Sequence, residues 1–447
     1  MAKKTFEIQN GIEYLSDIED FTNEDNFPYY YNKLKKLNLL KDLKRQGFDI
    51  SDFYIDDLTS VNAQEVNAYF EQLSTSDIID AVKKKLIKLE TTYAKSEEVK
   101  VENLADTIDE FMEELEESCD IGLPVQGRIY NEVISGAVKG TLTIRSGSSG
   151  LGKTRSSVGD ACLLAYPIRY NSVTCKWEQT GSCEKVLFII TEQSFKEIKK
   201  MILAYLTDIN ESRFKYKDFS DREEKVIAQA IEVIKKYRDN FVIVKIPDPN
   251  IELVKAMVRE NCLLNDIDYV FYDYIFISPA LLKEFRGFNL RNDELLLLMA
   301  TALKDLAVEL NVALFTATQV NASADDSKEI RNEASLAGGR ATINKADNGA
   351  IMARPTKEEL DILKPIIANY GTPNVVTDIF KVRSGQWTQV RIWSVVDLGR
   401  MKREDLFITD SRLEAIDGFF EQKELKVSHW ETNQEYEIAK FIKELNG

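Results

Sequence analysis

The chain has 447 residues, 44% of them hydrophobic and 30% charged, which suits a soluble globular protein of two or three domains with a sizeable core. Its formal net charge of −16 argues against a broadly basic surface that coats nucleic acid, although a few Lys and Arg in a restricted channel can still act locally. No apolar run approaches the ~20 residues of a membrane span, and the opening MAKKTFEIQNG lacks the apolar core of a secretion signal.

Five cysteines (Cys119, Cys162, Cys175, Cys183, Cys262) are scattered, odd in number and without a Cys-x-x-Cys pair. They predict a reducing, cytoplasmic setting. Cys175 and Cys183 offer two zinc ligands, but a single histidine, His429, stands far along the chain and weighs against a zinc site.

Residues 1–122 read as a helical N-terminal region. Tyr29 to Leu43, Ala63 to Leu73 and Ile78 to Leu89 carry helical apolar spacing, and Asn103 to Cys119 forms an acidic amphipathic stripe. Packing between helices is the expected use of these stripes. Gly122-Leu123-Pro124 closes the region.

From 123 to 410 short β-rich runs alternate with helical segments. The runs are Leu142–Ile144, Val186–Ile190, Phe241–Ile246, Tyr269–Tyr272, Val312–Thr316, Ala350–Ala353, Ile379–Val382 and Val390–Val396. Near-continuous apolar strands separated by helices predict an α/β fold with a mostly parallel, buried central sheet. The last two runs flank Ser384-Gly385 and predict a hairpin at the sheet edge. Asn171 to Glu184 reads as a loop inserted before the second strand. Asn321 to Glu333, polar and charged, reads as a mobile loop. The tail, 411–447, holds one helix, Gln434 to Leu445, that caps the domain or meets a partner.

The strongest single motif is Gly147-Ser148-Ser149-Gly150-Leu151-Gly152-Lys153-Thr154. It follows a strand and opens a helix, the context a phosphate-binding loop needs. Its glycines let backbone N–H groups curl toward an anion, and the helix start adds its positive dipole end. Lys153 is placed to reach the β- and γ-phosphates of ATP, and the Thr154 hydroxyl to ligate Mg²⁺.

Other strand ends supply candidate partners. Asp273 closes an apolar run and is placed to hold the Mg²⁺ shell. Glu192 follows Val186–Thr191 and is a candidate to polarise the attacking water, or else a surface carboxylate at a helix start. Gln319 follows Val312–Thr318 and offers an uncharged amide to the γ-phosphate, or else is a plain strand-end polar residue. Lys381 and Arg383 share one strand face; they either act in a neighbouring subunit's site or solvate an edge strand.

The order of these pieces resembles one family. Residues from about 122 to 400 are similar to the C-terminal RecA-like motor domain of DnaB-type replicative helicases, phage versions included. The segment Ala302 to Val312 resembles the family's helix-into-strand passage before its Gln motif. Ile190-Thr191-Glu192-Gln193-Ser194 resembles the catalytic Glu motif, usually Ser-Leu-Glu-Met-Ser. Ser335 to Arg340 with Ala346-Asp347 resembles the motif after the DNA-binding loop, and Lys381-Val382-Arg383-Ser384-Gly385 the family's K-x-R-N-G finger. The phosphate loop departs from the usual Arg-Pro-Ser-Met-Gly, and the Asn171–Glu184 insertion is atypical, so the chain reads as a divergent member.

The resemblance implies a RecA-like P-loop ATPase that forms a homo-oligomeric, hexameric ring on single-stranded DNA, with ATP and Mg²⁺ as cofactors and a primase or helicase loader as further partners. It assigns Lys153, Thr154 and Asp273 to phosphate and metal, Glu192 to the water, Gln319 to the γ-phosphate, and Lys381 and Arg383 to the neighbouring subunit. DNA contacts fall on Lys328, Arg331, Arg340 and Lys345. Tyr29 to Phe48 resembles the linker helix, with about 25 residues before it where a full helical collar is expected. Two other readings stand beside the helicase: a RecA-like ATPase that loads or remodels a protein or nucleic-acid complex without unwinding, and a nucleotide-gated assembly module. Two carboxylates and a cation pair weigh against the last, since binding alone does not need Glu192.

Overall fold

The structure, a computed structural model, describes residues 27–55, 62–93, 121–148, 150–319, 344–383, 387–416 and 432–446. The expected Asn103–Cys119 helix and Asn321–Glu333 loop lie outside them, as do the Ser335–Arg340 motif and Ser384-Gly385. The chain divides into two compact units, Met1–Glu117 and Ser118–Gly447.

The first unit is helical where described: α1 (Phe27–Arg45), α2 (Ala63–Gln72) and α3 (Thr75–Tyr93). Leu40, Phe53, Phe70, Ile78 and Val82 form its core. Lys36 is buried because its ammonium caps α2, donating to the carbonyls of Phe70 at 2.8 Å and Glu71 at 3.2 Å. These are helix-end carbonyls, and that of Phe70 also accepts the Leu73 N–H at 3.2 Å; a cation beside them suits the negative end of the helix dipole.

The second unit is built on strands β1 (Leu142–Gly147), β4 (Val186–Ile190), β5 (Phe241–Lys245), β6 (Tyr269–Asp273), β7 (Ala313–Thr316), β8 (Asn348–Ala353), β9 (Val375–Val382), β10 (Val390–Asp397) and β11 (Lys402–Thr409). Their order in the sheet is β11-β10-β9-β8-β1-β7-β6-β4-β5. From β8 to β5 every neighbour is parallel; from β8 through β9 and β10 to β11 each strand runs antiparallel to the next. Strand side chains alternate between faces. Phe188, Phe271 and Phe315 therefore stack across one face, while Leu187, Ile189, Tyr272 and Leu314 fill the other. Helices α4 (Lys153–Ala165), α5 (Phe195–Thr207) and α6 (Asp221–Lys236) cover the first face; α7 (Ile251–Asn265) and α8 (Asn292–Glu309) cover the second.

Two expectations need correction. The Asn171–Glu184 insertion is no plain loop: β2 (Ile168–Asn171) and β3 (Lys176–Gln179) pair as a hairpin. Trp177 anchors it, 1% exposed, with its indole N–H donating to Gln229 at 2.9 Å. The C-terminal helix α9 (Thr432–Asn446) packs on this hairpin. Asn446 bonds the Trp177 backbone on both sides, and Ile438, Phe441 and Leu445 are buried. Second, the β9–β10 hairpin does not sit at the edge, because β11 pairs outside it. The polar start of β11 hides this strand in the sequence. Arg403 and Asp405 are buried there as an ion pair at 2.7 Å, with Asp405 also accepting the Tyr130 N–H.

Candidate functional site

The parallel register brings the C-terminal ends of β1, β7, β6 and β4 to one edge of the sheet, where open α/β sheets hold ligands. Ile190 pairs with Asp273, Tyr272 with Thr316, and Thr316 with Ile144. Gly147, Glu192 and Gln319 thus leave the sheet together around a cleft of about 570 Å³, with buried Asp273 bonded to Thr154 in its lining.

The phosphate loop joins fully buried β1 to α4, which begins at Lys153. Gly150 and Gly152 have φ of 80° and 85°, the left-handed region that glycine occupies without strain. A Cβ on Gly152 would also stand 2.0 Å from Leu398, which sits over the loop. The Lys153 ammonium rests on the loop's own carbonyls, those of Gly147 and Ser148. Ser149 lies outside the described residues.

The Thr154 hydroxyl donates to Asp273 at 2.6 Å. Burial pushes the Asp273 carboxyl up to about 6, and the Glu192 charge adds to this against the pull of Thr154 and Lys153. Asp273 is a nearly buried acid short of positive charge. Ser194 and Glu197 form a capping box at the start of α5, which fixes the turn carrying Glu192 and Gln193. The Gln193 amide donates to Thr154 at 3.3 Å, and its carbonyl oxygen is buried with no partner among the described residues.

Tyr274 joins the remaining pair. Its hydroxyl donates to Glu192 at 2.8 Å and accepts from the Gln319 amide at 2.9 Å. Sequence reading gave neither Tyr274 nor Gln193 a role. Adjacency to Asp273 and Glu192 was a signal, but using it requires knowing that β6 lies between β4 and β7.

Lys381 and Arg383 stand elsewhere. Val382 pairs with Asn348, and Asn348 with Thr143, at the start of β1. From Thr143 to Gly147 the strand runs about 13 Å at ~3.3 Å per residue, so the pair occupies the opposite end of the sheet from the phosphate loop. There Lys381 donates to the Asn344 carbonyl at 3.0 Å, and Arg383 pairs with Asp347 at 3.0 Å. Asp347 also takes Lys304 at 2.6 Å and the Leu142 N–H at 2.8 Å. Exposed Lys345 lies at this same end; Lys328, Arg331 and Arg340 fall outside the described residues.

The family model for the DnaB-like helicase C-terminal domain matches residues 122–402. The chain belongs to that family. It is 30% identical over 416 residues to the SPbeta prophage-derived uncharacterized protein YorI of Bacillus subtilis strain 168, covering 91% of this chain and 82% of that one. This relative marks the chain as a phage-like DnaB-type member. A solved ATPase domain superposes with a TM-score of 0.53 at 17% identity, covering 69% of this chain and all of that one. A DnaB-like replicative helicase, solved in a study of its interactions with primase, gives a TM-score of 0.50 at 16% identity over 77% of this chain and 78% of its own. At such identities these two structures speak for the RecA-like fold alone.

Proposed function

We propose that this chain is the motor subunit of a replicative-type DNA helicase, an ATP hydrolase that forms a homo-oligomeric, hexameric ring, translocates on single-stranded DNA and unwinds duplex. The division of the site supports this reading most. Phosphate loop, Glu192, Asp273 and Gln319 share one edge of the sheet, while Lys381 and Arg383 stand at the other end, too far to serve their own loop. Such a pair suits a neighbouring copy's site.

In this reading the loop from Gly147 to Thr154 cradles the triphosphate of ATP, and Lys153 turns from its own carbonyls to the β- and γ-phosphates. The Thr154 hydroxyl and Asp273 would hold Mg²⁺. The donor set fits: a hydroxyl and a buried acid in contact, with the spare Gln193 carbonyl oxygen beside them. When bound, the cation neutralises charge on the β- and γ-phosphate oxygens. Glu192 orients the attacking water, and Gln319 donates to the γ-phosphate. Lys381 and Arg383 stabilise the transferring phosphoryl group across the subunit boundary. Lys328, Arg331, Arg340 and Lys345 contact DNA phosphates, and a primase or loader joins the ring in the cytoplasm.

Steady-state ATP hydrolysis with and without single-stranded DNA, over a range of salt, tests this. The expected result is strong stimulation that fades as salt rises, because phosphate contacts release counterions. Robust hydrolysis indifferent to DNA would point instead to an ATPase that loads or remodels another complex.

A further inference from the structure

We propose that Tyr274 is a positioning residue that ties Gln319 to Glu192 and sets which end of the Gln319 amide meets the γ-phosphate. This inference rests on the nucleotide reading above. Strand β6 lies between β4 and β7, so the first residue beyond it stands between the residues that leave its two neighbours. Glu192 and Gln319 are exposed, and among the described residues the Tyr274 hydroxyl is the hydrogen-bond partner of both side chains. The phenol ring itself is half-buried and packs against Phe276, 5.6 Å between centroids. A fixed ring therefore holds two otherwise free side chains.

The polarity of this string is dictated by chemistry. A carboxylate only accepts, so the phenol must donate to Glu192. Its oxygen then has only lone pairs left, and Gln319 must turn its NH₂ toward it. That NH₂ has a second proton, which remains free for an anion. Without the hydroxyl the amide can rotate and present its carbonyl oxygen to the γ-phosphate, which repels it. A phenol is protonated through the neutral range, so the hydroxyl remains a donor.

The test uses the full chain with Mg²⁺. Equilibrium binding of ADP and of β,γ-imido-ATP, together with ATP turnover, is measured for wild type, Tyr274→Phe, Gln319→Ala and the double variant. Tyr274→Phe is expected to bind ADP as wild type does. Its preference for the triphosphate analogue should fall about fivefold, and kcat about tenfold, the scale of one lost hydrogen bond. On the Gln319→Ala background the Tyr274 change should lower the triphosphate preference no further. An unchanged preference, a parallel loss of ADP affinity, or losses that simply add would each overturn the tie. A wild-type chain that binds neither nucleotide would overturn the nucleotide reading and this inference with it. Wild-type binding with an unaffected Tyr274→Phe would overturn only the inference.

Discussion

At one end of the sheet, β1, β7, β6 and β4 release side chains that satisfy one another: Thr154 with Asp273, Tyr274 with Glu192 and Gln319. At the other end, Lys381 and Arg383 hang on a carbonyl and a shared carboxylate. The first set pairs within one chain. The second is held in a way that permits exchange. Arg383 remains 59% exposed, and an ion pair with one partner so exposed contributes little. Asp347, in contrast, is nearly buried and keeps Lys304 and the Leu142 N–H when Arg383 leaves. Its charge is never stranded, so the cost of removing a partner from a buried pair is avoided. An arginine parked on an acid that does not need it is free to serve another site.

The sharpest way to break this contrast is Arg383→Ala. An arginine supplied in trans supports a rate on the order of 10³-fold, so the pure variant should lose about that much turnover while binding nucleotide normally. Mixed with wild type, it should depress turnover below the sum of the two, because shared sites lose their arginine. A purely additive rate would place Arg383 outside any neighbour's site. The next largest effect belongs to the end whose side chains pair within the chain. Glu192→Gln should keep nucleotide binding and lose at least about 10²-fold in kcat, the lower end of what a positioned base contributes. Unchanged turnover would remove Glu192 from that role.

The two ends were also unequally legible in the sequence. The runs around Leu142, Val186, Tyr269 and Val312 are buried on both faces, and continuous burial writes itself as continuous apolar sequence. Their ends carry the site, so Glu192, Asp273 and Gln319 could be nominated in order. Strand β11 was invisible because Arg403 and Asp405 neutralise each other inside, and pairing of that kind leaves no hydrophobic trace. Its absence from the reading made the β9–β10 hairpin look like an edge. The β2–β3 hairpin was equally hidden: its stability comes from Trp177 and from α9, which lies more than 250 residues further along the chain. Tyr274 required the spatial order of strands, which follows from pairing and not from local pattern.

The smallest expected effect concerns Gln193, where the related helicase motif usually carries methionine. Among the described residues the Gln193 carbonyl oxygen is buried without a partner, a group whose desolvation costs about 1–3 kcal/mol. Methionine has similar length and no such atom. Gln193→Met should therefore raise the melting temperature of the nucleotide-free chain. The same change removes the amide that donates to Thr154 and the acceptor beside the proposed metal shell. The Mg²⁺ concentration for half-maximal turnover should rise about three- to fivefold, the scale of one neutral hydrogen bond, with kcat at saturating Mg²⁺ nearly unchanged. The two signs oppose each other, which separates a binding group from a packing group. A glutamine kept for packing would give a lower melting temperature and an unmoved Mg²⁺ titration. A glutamine kept for the bound state leaves its oxygen unsatisfied until nucleotide and cation arrive.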